Sequence, residues 1–155
     1  MTTTTAALGA SSTMAGSGTG RLTLTATGED TQIARAEAGS GGLYAGSGAE
    51  GSTSNTSDVT VSLGANAVIV TGLATIGASH STRYAALVDS LQAAALGASA
   101  ALAKNNANVD VLTELGAGAR ITAAGPGTNG CYLTSCLQAI SLTSRHDFTQ
   151  LELGD

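Results

Sequence analysis

The chain has 155 residues and a formal net charge of −5, and 29 Ala, 22 Thr, 21 Gly and 16 Ser make up more than half of it. Leu, Ile, Val and Phe together supply only about 19% of residues, near the level at which apolar burial no longer offsets the entropy of ordering, which argues against an ordinary globular core. Charged residues are just 11% of the chain, which argues equally against disorder driven by charge and leaves a periodic fold with a small-residue interior.

The same composition removes several function classes. Six Lys and Arg against eleven Asp and Glu, without a basic run, give no electrostatic footprint for nucleic acid, and Tyr44, Tyr84, Tyr132 and Phe148 are too few to make a base-stacking surface. No window of about 18 apolar residues is present, and Met1 to Ala10 has neither a basic nor an apolar signal region. The chain as it stands is expected to be soluble, without membrane insertion.

Taken in chain order, the first predicted strand is Arg21 to Thr27, where Leu22, Leu24 and Ala26 alternate with Thr23, Thr25 and Thr27. A turn is expected at Gly28-Glu29-Asp30. The stretch from Ile33 to Ser54 holds six glycines and excludes a helix at about 1 kcal/mol per glycine. Val59 and Val61 then alternate with Thr60 and Ser62, and Leu73 to Ser79 alternates again. From Thr82 to Lys104, Tyr84, Leu87, Val88, Leu91, Ala95, Ala98 and Leu102 fall near helical spacing, with Ser81 or Thr82 as N-cap. Propensity alone reads 82–104 as a helix. Repeats of one array share a fold, however, so strand is preferred there and the helix is kept as the alternative. Asn105-Asn106 is expected to turn, Val109 and Val111 flank Asp110 in a further strand, and Ala139 to Arg145 alternates once more. The expected picture is many short strands at regular spacing.

Internal repetition is the strongest signal. Leu-Gly-Ala occurs at Leu8, Leu63 and Leu115, at spacings of 55 and 52. Each copy is followed by one of the alternating segments, and Thr31-Gln32 stands nine residues after Leu22 as Thr149-Gln150 stands nine after Ile140. The chain therefore reads as a single array over 1–155: the end of a repeat (1–20), a repeat (21–72), a second repeat (73–125), a Cys-bearing insertion (126–138) and the start of another repeat (139–155). Beginning and stopping within the pattern, it has the look of a segment of a longer protein.

Motifs that carry chemistry elsewhere are weak here. Gly46-Ser-Gly48-Ala-Glu-Gly51 and Gly125-Pro-Gly127-Thr-Asn-Gly130 both fit G-x-G-x-x-G. The first leads into Ser and Thr rather than a helix. The second follows the strand-like Arg120 to Ala124 and has Asp147 17 residues on, but only 25 residues remain after Gly130, too few to complete a dinucleotide domain. No cofactor is expected. Cys131 and Cys136 are too few ligands for zinc without a histidine cluster, so a local disulfide and a pair of free thiols both remain open. His146-Asp147 lacks a nucleophile elbow and reads, with the isolated His80, as solvent-exposed turn. Asp30, Asp58, Asp89 and Asp110 lack calcium-loop spacing, and no metal site is expected. Asn55-Thr56-Ser57 fits a glycosylation sequon without further support. No catalytic residue is assigned and an enzyme is not expected.

The residues that carry a family resemblance are Asn55 with Val59-Thr-Val61 and Leu63-Gly-Ala, and Asn108 with Val109-Asp-Val111 and Leu115-Gly-Ala-Gly-Ala-Arg-Ile121-Thr-Ala. This pattern resembles the β-strand repeats of very large filamentous bacterial adhesins, the haemagglutinin- and leukotoxin-type surface proteins. It covers most of the chain and is weakest at Pro126 to Leu137. The resemblance implies an all-β, right-handed parallel β-helix of repeats of about 52 residues. It also implies an exported, extracellular or cell-surface location and adhesion without catalysis. The partners so implied are neighbouring repeats of a longer chain or copies of itself, with the receptor unassigned. A self-assembling subunit of an extracellular filament or sheath is the alternative.

Overall fold

A computed structural model describes residues 1–16, 20–123 and 140–151. Every regular element among them is a strand: β1 (Thr2–Leu8), β2 (Thr13–Ala15), β3 (Arg21–Leu63), β4 (Val68–Thr71), β5 (Leu73–Leu115), β6 (Arg120–Ala123) and β7 (Ile140–Gln150). One curled sheet runs β1-β3-β5-β7 and the other β2-β4-β6.

The pairing follows the sequence periodicity. β1 lies parallel to β3 from Thr2 opposite Ser57 to Leu8 opposite Leu63, and β2 lies parallel to β4 from Thr13 opposite Val68, both at an offset of 55. β4 lies parallel to β6 from Val68 opposite Arg120, an offset of 52. These offsets equal the spacings of the Leu-Gly-Ala tripeptides. Between β3 and β5 the same distance along the chain brings the Thr27 hydroxyl within 3.4 Å of Ser79 and lets Thr53 donate to Asn105 at 2.5 Å.

Two expectations are corrected here. The helix kept as an alternative at 82–104 is absent, because β5 is strand without a break from Leu73 to Leu115. Its neighbour β3 carries the glycine-rich stretch, and a continuous edge of backbone donors and acceptors there outweighs the modest helix preference of Ala and Leu. The turns expected at Gly28-Glu29-Asp30 and Asn105-Asn106 are likewise strand, so the many short strands of the sequence reading become two of 43 residues each.

A straight strand of that length would run about 140 Å, but β3 doubles back on itself. The Thr53 hydroxyl lies 3.2 Å from Gln32 Oε1, and a Cβ added to Gly51 would meet the carbonyl of Arg35. Gly42 sits near the bend with φ +123°, a conformation costly for any residue with a side chain. Inward positions are even-numbered at Gln32, Ala34, Ala36 and Ala38 and odd-numbered at Ser57, Val59, Val61 and Leu63; unbroken alternation would keep one parity, so the change marks an interruption at 41–44, where four consecutive residues are exposed.

By contacts the chain forms two compact units. The first comprises Met1–Gly28, Ser57–His80 and Val109–His146, and the second Glu29–Thr56, Ser81–Asn108 and Asp147–Asp155. The core of the first is apolar: Val59, Val61, Leu63, Ile69, Ile76, Ala26 and Ala78 are buried, with Leu8, Leu22, Val111 and Ile121 packed against them. Burying each of the larger side chains contributes about 1.5–3 kcal/mol. The interior of the second unit consists of Ala34, Ala36, Ala38, Ala85, Gln32 and Thr82.

Three residues with left-handed backbone mark one corner of the first unit: Ser11 (φ 57°), Asn66 (φ 57°) and Gly118 (φ 73°), separated by the strand offsets of 55 and 52. The hydrogen bonds around this corner repeat from layer to layer. Gly64 N–H donates to Leu8 and Gly116 N–H to Leu63; Ser11 N–H donates to Ala65 and Asn66 N–H to Ala117. Val68 N–H donates to Ser12 and Arg120 N–H to Ala67, so the backbone here is paired between layers.

Candidate interaction surfaces

In the first unit the outward rows of neighbouring strands carry small hydroxyl side chains. Thr23, Thr25 and Thr27 are exposed beside their inward neighbours on β3, and Thr75 is exposed and Ser79 half-buried on β5. A shallow hollow of about 720 Å³ lies over this face, lined by Thr25, Thr27, Thr75, Ser79, Thr143 and Arg145 among others. Because β-sheet neighbours are about 4.8 Å apart and alternate residues of a strand about 6.6 Å apart, the hydroxyls form a regular grid.

His80 corrects the sequence reading. It was expected to be exposed in a turn, yet it is a strand residue of β5 only 2% accessible. A Cβ on Gly28 would lie 2.6 Å from His80 Cδ2 and 2.7 Å from Val59 Cγ2, so the imidazole occupies space that only glycine leaves open. His146 packs on its other side, ring centroids 5.2 Å apart and planes at 76°, an edge-to-face arrangement of the kind aromatic quadrupoles favour. The signal for this burial is present in the sequence, since Gly28 stands one repeat length before His80 and pairs an absent side chain with a large one. His146 and Asp147 are half-buried residues of β7, not turn residues. As consecutive strand residues they project to opposite faces.

In the second unit a hollow of about 360 Å³ is lined by Tyr84, Asn105, Asn106, Ala107 and Phe148. Tyr84 and Phe148 meet edge to face at 6.4 Å. The Asn105 amide donates to the Ala85 carbonyl at 2.7 Å and its oxygen accepts from Thr53. Around this interior the larger apolar side chains point outward: Leu43, Tyr44, Val88, Leu91, Leu96 and Leu102 are all exposed.

The remaining sequence candidates do not converge. Gly46 to Gly51 lies inside β3 as extended strand, not in a loop that opens a helix. Asp30 and Asp58 are half-buried on β3, Asp89 and Asp110 exposed on β5. Among the described residues no cluster of His, Cys, Asp and Glu is placed to hold a metal ion. Ser57 of the Asn55-Thr56-Ser57 sequon is buried. Cys131, Cys136 and the Gly125 to Gly130 motif lie outside the described residues.

Comparison of the chain with protein-family models, curated proteins and solved structures gives no match.

Proposed function

We propose that the chain is a non-enzymatic structural and adhesive segment of an exported bacterial surface adhesin, its layers forming a right-handed parallel β-helix that acts as stalk and display surface. The observation that supports this reading is the parallel pairing of strands one repeat apart, at the 55- and 52-residue offsets of the sequence. Successive parallel strands joined by crossovers are right-handed in nearly all proteins, which favours that hand. An interior that mixes Ala34, Ala36, Ala38, Ser57 and Thr82 with a few larger side chains such as Val59, Leu63 and Ile69 suits a stacked coil, where backbone bonds between layers add to the cohesion of apolar packing. The outward hydroxyl rows and the exposed Leu and Tyr of the second unit supply a display surface.

Adhesion is tested by coating beads with the purified chain and measuring their retention on epithelial cells and on extracellular-matrix proteins. Saturable retention, competed away by free chain, is expected; retention no greater than that of albumin-coated beads overturns the adhesive part of the reading. Far-ultraviolet circular dichroism tests the stack itself, which a helical spectrum would rule out. A second reading, a self-assembling subunit of an extracellular filament or sheath, is favoured by one observation: β2 and β6 are the outermost strands of their sheet, and edge strands invite pairing with another chain.

A further inference from the structure

The layers of the first unit differ sharply in how well they are covered. In the column Leu8, Leu63, Leu115 the middle residue is 1% accessible and Leu115 is 45% accessible. In the column Met14, Ile69, Ile121 the middle residue is fully buried and Met14 is exposed. Each middle side chain is covered by the next layer on both sides, and each outer one lacks a layer on one side among the described residues. Among the described residues no further strand covers the outer face of the Leu115 layer, and β1 and β2 carry the same repeat in the register that would continue it.

We infer that the occupant is a second copy of this chain, stacked head to tail so that its β1 and β2 lie on the outer side of residues 109–115 and of β6. This inference rests on the layered reading of the fold given above. The layer-to-layer hydrogen bonds at the corner fix the geometry. Since Gly64 and Gly116 each donate to the leucine one layer back, Gly9 of the second copy donates to the Leu115 carbonyl. Since Ser11 and Asn66 each donate forward, Gly118 donates to Ala10 of the second copy. Since Val68 and Arg120 donate back to Ser12 and Ala67, Thr13 of the second copy donates to Ala119.

Side chains complement the backbone. Leu8 of the incoming copy covers Leu115 and Met14 covers Ile121, so both columns continue. Where β3 carries Asp58 and β5, one repeat on, carries Asp110, β1 carries Thr3 opposite Asp58. The incoming copy therefore sets a hydroxyl, not a third carboxylate, on Asp110. Because the two contacting faces differ, the interface is heterologous, and because each copy is added along the stacking direction of the layers it does not close; it propagates as a filament with every copy pointing the same way. Each copy carries a net charge of −5, so assembly strengthens with salt as repulsion between copies is screened.

The test uses the whole chain in sedimentation velocity and electron microscopy, with circular dichroism on every sample. The unaltered chain is expected to rise at least about fourfold in mean mass between about 5 and 500 µM and to form unbranched filaments. Leu115→Lys blocks one face and Met14→Lys the other, at side chains already exposed. Each variant alone is expected to stay monomeric, and a one-to-one mixture of the two is expected to give dimers and no more, because it contains a single intact pair of faces. Growth of either variant alone, or failure of the mixture to dimerise, overturns the head-to-tail assignment while leaving a filament by another contact intact. An unaltered chain that stays monomeric with a β spectrum overturns the inference alone; one without a β spectrum overturns the layered reading beneath it. Hydrogen exchange on the unaltered chain supplies a readout free of substitutions: the Gly9, Thr13 and Gly118 amides must slow with concentration, and unchanged exchange at all three overturns the proposed bonds.

Discussion

The two units are built from the same strands and the same small residues, yet they are held together differently. The first packs Val59, Val61, Leu63, Ile69 and Ile76 inward and puts Thr and Ser outside. The second inverts the arrangement, with alanines, Gln32 and Thr82 inside and Leu91, Leu96 and Tyr44 outside. At Gly51 the returning half of β3 passes so close to the Arg35 backbone of the outgoing half that a side chain there has no room. Close backbone approach, not apolar content, decides which residue types go inside. Among the described residues, the buried side-chain atoms without hydrogen-bond partners, Gln32 Nε2, Ser40 Oγ and Ser47 Oγ, all fall in the second unit, where each carries a desolvation cost.

Substitutions are expected to separate the units by size of effect. Leu63→Ala is expected to lower unfolding free energy by about 3 kcal/mol, since it opens a cavity in the tightest part of the first unit. Urea denaturation checks it, and a loss below about 1 kcal/mol would show that this core is not what holds the unit together. Gly28→Ala should cost about 1–3 kcal/mol by overpacking against His80 and Val59. The double variant Gly28→Ala, His80→Ala should lose less than the sum of the two single variants, since it removes the imidazole contact and leaves that with Val59; additive losses would mean the imidazole is not an obstacle.

Smaller effects sharpen the comparison. Asn66→Val places a β-branched residue at φ 57° and should cost about 1–2 kcal/mol, whereas Asn66→Gly should be close to neutral, as thermal melts of the pair would show. Gln32→Leu removes a buried amide nitrogen that has no partner, while Thr53 keeps Asn105, so a gain of up to about 1 kcal/mol is expected. A clear loss in the same denaturation assay would mean the Gln32 to Thr53 contact matters more than the orphaned nitrogen. Leu91→Ser, at a side chain 71% exposed, should stay within about 0.5 kcal/mol although it replaces a leucine. A larger loss would reveal that the outward leucines of the second unit are packed against something in solution.

Much of the strand content was legible because period-2 alternation at Leu22 to Thr27 and Val59 to Ser62 has one physical meaning, and the Leu-Gly-Ala spacing equals the pairing offset of the layers. The segment 82–104 was harder, since its Ala and Leu at those spacings favour a helix by propensity alone; what decides for strand is the partner strand, which a local window does not contain. The length of β3 and β5 was hidden because Gly28 and Asn105 read as turn formers. In the fold one clears space for an imidazole and the other bridges Thr53 to Ala85. His80 was misplaced because burial of a histidine depends on a residue 52 positions away.

The fit between Gly28 and His80 has a bearing on how such a monotonous chain finds its alignment. Alternation forbids a neighbouring strand to slip by one residue, because every side chain would change faces, but it is blind to a slip of two. Such a slip would carry the imidazole to Ala26 or Asp30, both of which have a Cβ where Gly28 has none. A single missing side chain thus acts as an index mark, letting β5 settle at one position along β3 out of several that hydrophobic pattern alone would accept.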